Sequence, residues 1–193
     1  MLRLPFFVAL ALLTAFGLGI GSAVAMLDAS SGFGAIRLGA WAAFPQAQTA
    51  RADPYARSHR ARAGKLLYAS AEGLQFQADT DDAGARLSPR CTYAMDGITP
   101  PARFWTLYAA SQDMEPLVPA QYRPRAFNAW NVLRRPDGGF RVLISARAQP
   151  GNWLALNEGQ PFRLVLTLLD TPTAGSSGLL EIRMPTLEKV SCP

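Results

Sequence analysis

Leu74-Gln75-Phe76-Gln77-Ala78-Asp79 alternates apolar and polar residues without a break. A period of two puts Leu74, Phe76 and Ala78 on one side of an extended chain and their polar neighbours on the other, so this stretch is a β-strand with one face in a core. Asp81-Asp82-Ala83-Gly84 follows as a turn, and Cys91 to Met95 resumes the strand pattern before Asp96-Gly97. Arg103 to Ala109 is apolar on both faces, which expects a place inside a sheet. Trp130 to Leu133 and Phe140 to Ile144 flank Arg135-Pro136-Asp137-Gly138-Gly139, the composition of a hairpin turn. Ala35 to Phe44 before these, and Phe162 to Leu169 and Leu179 to Met184 after them, read as strands too, in a pattern that expects about nine short strands.

One helix is expected among them. Asp53 is suited to the N-cap and Pro54 to the first helical position; Tyr55 to Ala63 form the body and Gly64 closes it at C′. Ser111 to Phe127 has no period and three prolines, and reads as a long surface loop. With 16 Gly and 15 Pro spread along 193 residues as turn punctuation, the chain predicts a mainly β domain. The expected architecture is a jelly-roll-like two-sheet sandwich with one short helix, preceded by an N-terminal transmembrane or signal helix.

That N-terminal segment, Leu4 to Leu27, carries no charge. As a helix its 24 residues span about 36 Å, enough for a hydrocarbon core of about 30 Å. Arg3 before it and Asp28 after it place the N-terminus in the cytoplasm and the rest of the chain outside. The uncharged run is longer than a usual signal core and favours an uncleaved anchor. Ala23-Val24-Ala25 is nonetheless an A-x-A cleavage pattern, so removal by signal peptidase is the alternative. Gly17 and Gly21 form a G-x-x-x-G step that would allow close helix packing, a pattern that small residues near a cleavage site also produce by chance.

Export bears on the cysteines. Cys91 and Cys192 are the two in the chain, and an oxidising compartment favours a bridge between them over two buried thiols. One histidine and two distant cysteines do not supply the ligand pattern of a zinc site, and neither metal nor cofactor is expected. His59, flanked by Arg57, Arg60 and Arg62, has Asp53 as its one nearby carboxylate and reads as a surface helix residue. Asp53 and Arg57, four apart, suit a helical salt bridge.

The formal charge of +5 is not spread evenly. Arg51, Arg57, Arg60, Arg62 and Lys65 face Asp53 alone, a local balance of +4 within residues 51–65. No aromatic residues interleave with these cations in the manner that stacks bases, so nucleic acid is not the expected partner. A solvated helix face is the plain reading. The functional one makes Arg57, Arg60, Arg62 and Lys65 a contact surface for an acidic partner or anionic lipid.

Several short motifs occur in order: Gly39-Ala40-Trp41, Asp53-Pro54-Tyr55-Ala56-Arg57, Glu72-Gly73, Cys91-Thr92-Tyr93, Arg103-Phe104-Trp105-Thr106-Leu107 and Gly151-Asn152-Trp153-Leu154. With this set the chain resembles the bacterial family called domain of unknown function 1214, from about Phe33 to Cys192. Two departures from the family pattern are Ala155, where a proline commonly follows Asn-Trp-Leu, and Leu169, where a tyrosine is common. The resemblance implies a jelly-roll-like β-sandwich as one domain over residues 33–192, behind an anchor or signal over 4–27. It implies a partner too, because in longer relatives a second domain of unknown function, numbered 1254, precedes this one. No activity and no catalytic residues come with the family.

Tyr93, Arg103, Trp105, Asn152 and Trp153 are the candidates for a ligand site, since aromatic faces with a guanidinium and an amide could hold a sugar. The competing reading gives Tyr93 and Trp105 to the core, Arg103 to a nearby acid and Asn152 to a turn. Glu72, Asp79 and Asp96 could supply paired carboxylates, but nothing in the sequence sets their separations. Two functions are therefore carried forward. One is a non-catalytic envelope module that docks to a partner carrying the 1254 domain. The other is an enzyme or binding protein acting on a carbohydrate or other polar envelope polymer, for which the fold alone is weak warrant.

Overall fold

The alternation at residues 74–79 becomes a strand whose apolar face is fully buried, Leu74, Phe76 and Ala78 pointing inward and Gln75 and Gln77 half-buried on the other side. In the computed structural model the described residues are 3–29, 36–44, 52, 54, 57–58, 61, 73–119, 123–172 and 182–192. An N-terminal helix, α1 (Arg3–Ala29), precedes ten strands: β1 (Ile36–Leu38), β2 (Trp41–Ala43), β3 (Gly73–Ala78), β4 (Thr92–Gly97), β5 (Phe104–Ala110), β6 (Ala126–Asn128), β7 (Phe140–Ser145), β8 (Asn152–Ala155), β9 (Arg163–Leu169) and β10 (Thr186–Ser191). They form a six-stranded sheet in the order β1-β2-β3-β9-β5-β6 and a four-stranded sheet in the order β10-β4-β7-β8. The protein is thus mainly β with two sheets, and among the described residues the one long helix lies at the N-terminus.

Burial explains the strand order. Leu164 to Leu168 is buried on both faces, as expected of a strand flanked on each side, and β9 sits between β3 and β5. One apolar core joins the sheets: Leu74, Phe76, Trp105 and Leu107 from the larger meet Tyr93, Met95, Phe140, Val142 and Leu187 from the smaller. Trp105 stacks on Phe140 across this space, ring centroids 5.1 Å apart. Burying such rings supplies most of what holds the layers together, about 25 cal/mol per Å² of apolar surface.

Polar stitches fix the layers in register. Trp41 Nε1 donates to the Pro185 carbonyl at 2.8 Å. The Asp82 carboxylate accepts from Ala40 N at 2.8 Å and from Leu187 N at 2.7 Å, so one turn residue ties the β1–β2 turn to β10. Cys91 and Cys192 are disulfide-bonded, with Cα atoms 4.2 Å apart and a sequence separation of 101. Closing a loop of that size is worth at most about 4.7 kcal/mol by chain entropy.

Several elements differ from the sequence expectation. The stretch expected as one strand over Ala35 to Phe44 is, over its described residues 36–44, a hairpin, because Gly39 at φ +59° turns the chain between β1 and β2. Trp130 to Leu133 is irregular. Asn128 Oδ1 accepts from both Trp130 N (2.9 Å) and Asn131 N (3.0 Å), and Asn131 Oδ1 accepts from Asn128 N (2.7 Å). Amide side chains have taken the backbone donors that a ladder would need. The final strand is β10, since residues 182–185 carry no regular structure and 179–181 lie outside the described residues. Asn152 opens β8, which pairs in parallel with β7, instead of forming a turn. That pairing is short enough, about 13 Å, for residues 146–151 to carry the chain back. The loop expected over Ser111 to Phe127 includes an anchored part, with Leu117 N donating to Ala109 O at 2.9 Å and β6 beginning at Ala126. Of the helix expected over 55–63, Arg57, Ser58 and Ala61 are helical, as is Pro54; Asp53, His59, Arg60, Arg62, Gly64 and Lys65 lie outside the described residues.

Candidate functional site

The backbone at Asn152 decides that residue's role. Its amide is buried, 7% exposed, and bonded throughout to main chain: Nδ2 donates to Leu133 O (2.8 Å) and Arg141 O (2.9 Å), and Oδ1 accepts from Leu133 N (2.8 Å). These bonds hold the irregular segment after β6 against the edge of the smaller sheet. Trp153, half-buried beside it, donates from Nε1 to Ser145 O at 2.9 Å. Two of the five ligand candidates therefore spend their polar groups on the framework.

Tyr93 points into the core, edge-on to Phe162 with centroids 6.2 Å apart. Its hydroxyl accepts from Ser88 N at 2.8 Å. Burial pushes the phenol above its ordinary pKa, with the Ser88 bond acting the other way, so it stays neutral at physiological pH. Trp105 is buried against Phe140, and its Nε1 has no hydrogen-bond partner among the described residues. Arg103 is 83% exposed and pairs loosely with Asp170 at 3.7 Å. Tyr93 and Trp105 thus belong to the core, Asn152 and Trp153 to the lesser sheet, and Arg103 to the surface at the start of β5. The fold does not gather the five at one open cleft.

The carboxylates are spoken for as well. Asp79 Oδ1 lies 3.0 Å from Arg163 Nε. Asp96 receives a two-pronged contact from Arg135, Nη2 to Oδ1 at 2.8 Å and Nη1 to Oδ2 at 3.1 Å. The Arg135 hydrogen bond holds the Asp96 carboxyl below the usual carboxylate range. Glu72 lies outside the described residues. Among the described residues no group of three metal-ligating side chains converges.

Two surfaces remain. The basic segment is represented by Arg57, which is exposed and donates from Nε to Ala52 O at 2.8 Å. The other is aromatic and was not legible beforehand: Trp130, 85% exposed, lies against half-buried Phe104 with ring centroids 4.8 Å apart. Its position between two asparagines, in Asn128-Ala129-Trp130-Asn131, was the available signal, since that composition marks a turn. Far from both in sequence, Leu4–Met26 of α1 is exposed along its whole length and is long and apolar enough to cross a membrane. It fits a membrane anchor or a signal sequence.

Comparison with known proteins agrees with this fold and supplies no reaction. The VPA0106 protein of Vibrio parahaemolyticus, a solved structure, is similar over 71% of this chain and 35% of its own, at 22% identity and a TM-score of 0.56. A putative uncharacterized protein from Burkholderia cenocepacia is similar over 65% of this chain and 32% of its own, at 16% identity and a TM-score of 0.48. The chain therefore spans about a third of the length of each. None of the curated proteins matches it. The family described as "Protein of unknown function (DUF1214)" matches residues 72–173, from the edge of β3 to just beyond β9. With more than half of its length matched, the chain belongs to the DUF1214 family.

Proposed function

We propose that this protein is a non-catalytic module of a bacterial envelope, anchored in the inner membrane by α1, whose sandwich lies in the periplasm and docks to a second protein. Should the N-terminal segment be cleaved, the same domain is released into the periplasm. The companion that fits is a protein carrying the unknown-function 1254 domain. Support comes from the solved VPA0106 chain, which is longer than the part similar to this protein, 35% of its length.

One observation carries the docking surface: a net charge of +4 within residues 51–65, whose described arginine, Arg57, is exposed. Guanidinium groups grip carboxylates in a two-pronged fork, and a clustered set of them steers an acidic partner during encounter. The reading of a carbohydrate-acting protein draws less support, because Tyr93 and Trp105 keep their rings in the core and Asn152 is bonded to main chain.

The test is copurification of the full chain with a purified protein bearing the 1254 domain, in mild detergent at low and high salt. Arg57 is exposed, and a change at such a position costs about 0.5 kcal/mol or less, so Arg57→Glu is combined with Arg60→Glu and the fold of the double variant is checked by circular dichroism. The double variant slows association and flattens its salt dependence. Equal capture of wild type and variant removes the basic segment from the interface, and no capture of either removes this companion.

A further inference from the structure

We infer that the end of the six-stranded sheet bearing Trp130 and Phe104 rests on the head-group layer of the membrane that α1 crosses, an inference that builds on α1 being retained as an anchor. Trp130 is the most exposed large apolar side chain among the described residues. It lies tilted against Phe104, and Arg103, the residue before that phenylalanine, is 83% exposed and pairs at 3.7 Å with the exposed Asp170. Ile98, 48% exposed, lies in the loop that leads into β5 at the same end, and Leu133, 67% exposed, follows Trp130 in its loop. An indole with its ring in the apolar boundary and its N–H among head groups, beside a cation, is the chemistry of the membrane interface.

The register says where this end lies relative to the membrane. Phe104 and Gly73 are both level with Leu169, which marks one end of the larger sheet. β6 runs toward that end, Ala126 opposite Tyr108 and Asn128 opposite Thr106, and so delivers Trp130 beside Phe104. Ile36 is opposite Ala43, Ala43 opposite Phe76, Phe76 opposite Leu166 and Leu166 opposite Leu107. Arg37, by the same steps, is level with Tyr108. β1 therefore runs in the same direction as β5, away from the Trp130 end, and the chain enters the sheet from that end. Ala29 closes α1 and Ile36 opens β1, seven Cα steps that can span at most about 25 Å. The tether is short, and it arrives at the same end of the sheet as the exposed aromatic pair, although at the opposite edge, β1 and β6 lying five strand spacings, about 24 Å, apart.

Tryptophan fluorescence isolates the contact, because α1 holds no tryptophan. Of the four in the chain, Trp41 and Trp105 are buried and Trp153 is half-buried with its N–H bonded to Ser145 O. The full chain is reconstituted into phosphatidylethanolamine–phosphatidylglycerol vesicles, with and without phosphatidylcholine brominated high on its acyl chains, and recovered by flotation. The expected result is quenching by the brominated lipid that Trp130→Phe abolishes, together with poor access of iodide to Trp130. A chain that floats while Trp130 stays open to iodide and unquenched by lipid overturns the inference and leaves the anchor standing. One whose Trp130 is shielded from both quenchers has it against protein, which overturns the inference in favour of a protein interface. A chain that does not float overturns the anchor, and the inference with it.

Discussion

Asn152 offers the sharpest test of whether a ligand candidate is instead part of the frame. Its amide makes three hydrogen bonds, all to main chain and all between 2.8 and 2.9 Å, in a site only 7% exposed. Each such bond is worth about 1 kcal/mol net, so Asn152→Ala forfeits about 3 kcal/mol before relaxation. Leu133 is exposed, and water can replace part of what its backbone loses, which brings the expectation to about 2–3 kcal/mol. The near-isosteric Asn152→Asp is equally informative. Its ionised carboxylate has no donor to offer and would face the carbonyls of Leu133 and Arg141, which raises its folded pKa above the unfolded value. The variant is therefore relatively more stable below about pH 4, and that advantage is lost as pH rises through the raised folded value. Urea unfolding of the full chain in mild detergent, followed by tryptophan emission, reads both. With a slope of about 2 kcal/mol per M, Asn152→Ala should lower the midpoint by about 1–1.5 M. A shift within the error of wild type would refute the framework role and return Asn152 to the list of binding residues.

Two further predictions concern groups whose surroundings differ where their types agree. Trp41 and Trp105 are both buried, but Trp41 donates to Pro185 O while Trp105 Nε1 has no partner among the described residues. Trp41→Phe should thus cost about 2 kcal/mol more than Trp105→Phe in the same urea assay, since the first orphans an acceptor and the second removes an orphaned donor; equal costs would defeat this account. Asp96, its carboxyl held low by Arg135, contributes stability that is complete above its unfolded pKa and is lost as pH falls through the folded value. The gap between wild type and Asp96→Asn should therefore be constant near neutrality and close below about pH 4, and a gap that persists into acid would count against the pair.

The strands legible beforehand were those whose side chains report burial through a period. Leu74 to Ala78 alternates because one face meets the core, and Leu164 to Leu168 is apolar throughout because both faces are covered. Leu4 to Met26 was legible for the same reason, a membrane-length run without charge. Trp130 to Leu133 misled because its side chains have strand character, while the backbone is claimed locally by Asn128 and Asn131. β8 was missed because its opening residue, Asn152, is a turn former by propensity and becomes a strand residue only through partners 11 and 19 positions away. Greater separations in sequence, 42 and 105 positions, hid Asp82, which spans to Ala40 and Leu187.

Composition and periodicity alone determined that the chain is a β-rich domain behind an apolar helix, because burial and membrane length are properties of neighbours along the chain. Which polar groups are free to meet a ligand, and which have been consumed by the frame, was decided by tertiary structure. A side chain's hydrogen-bond partner is set by what the fold brings within 3 Å of it, and for Asn152, Tyr93 and Trp153 the fold brings backbone.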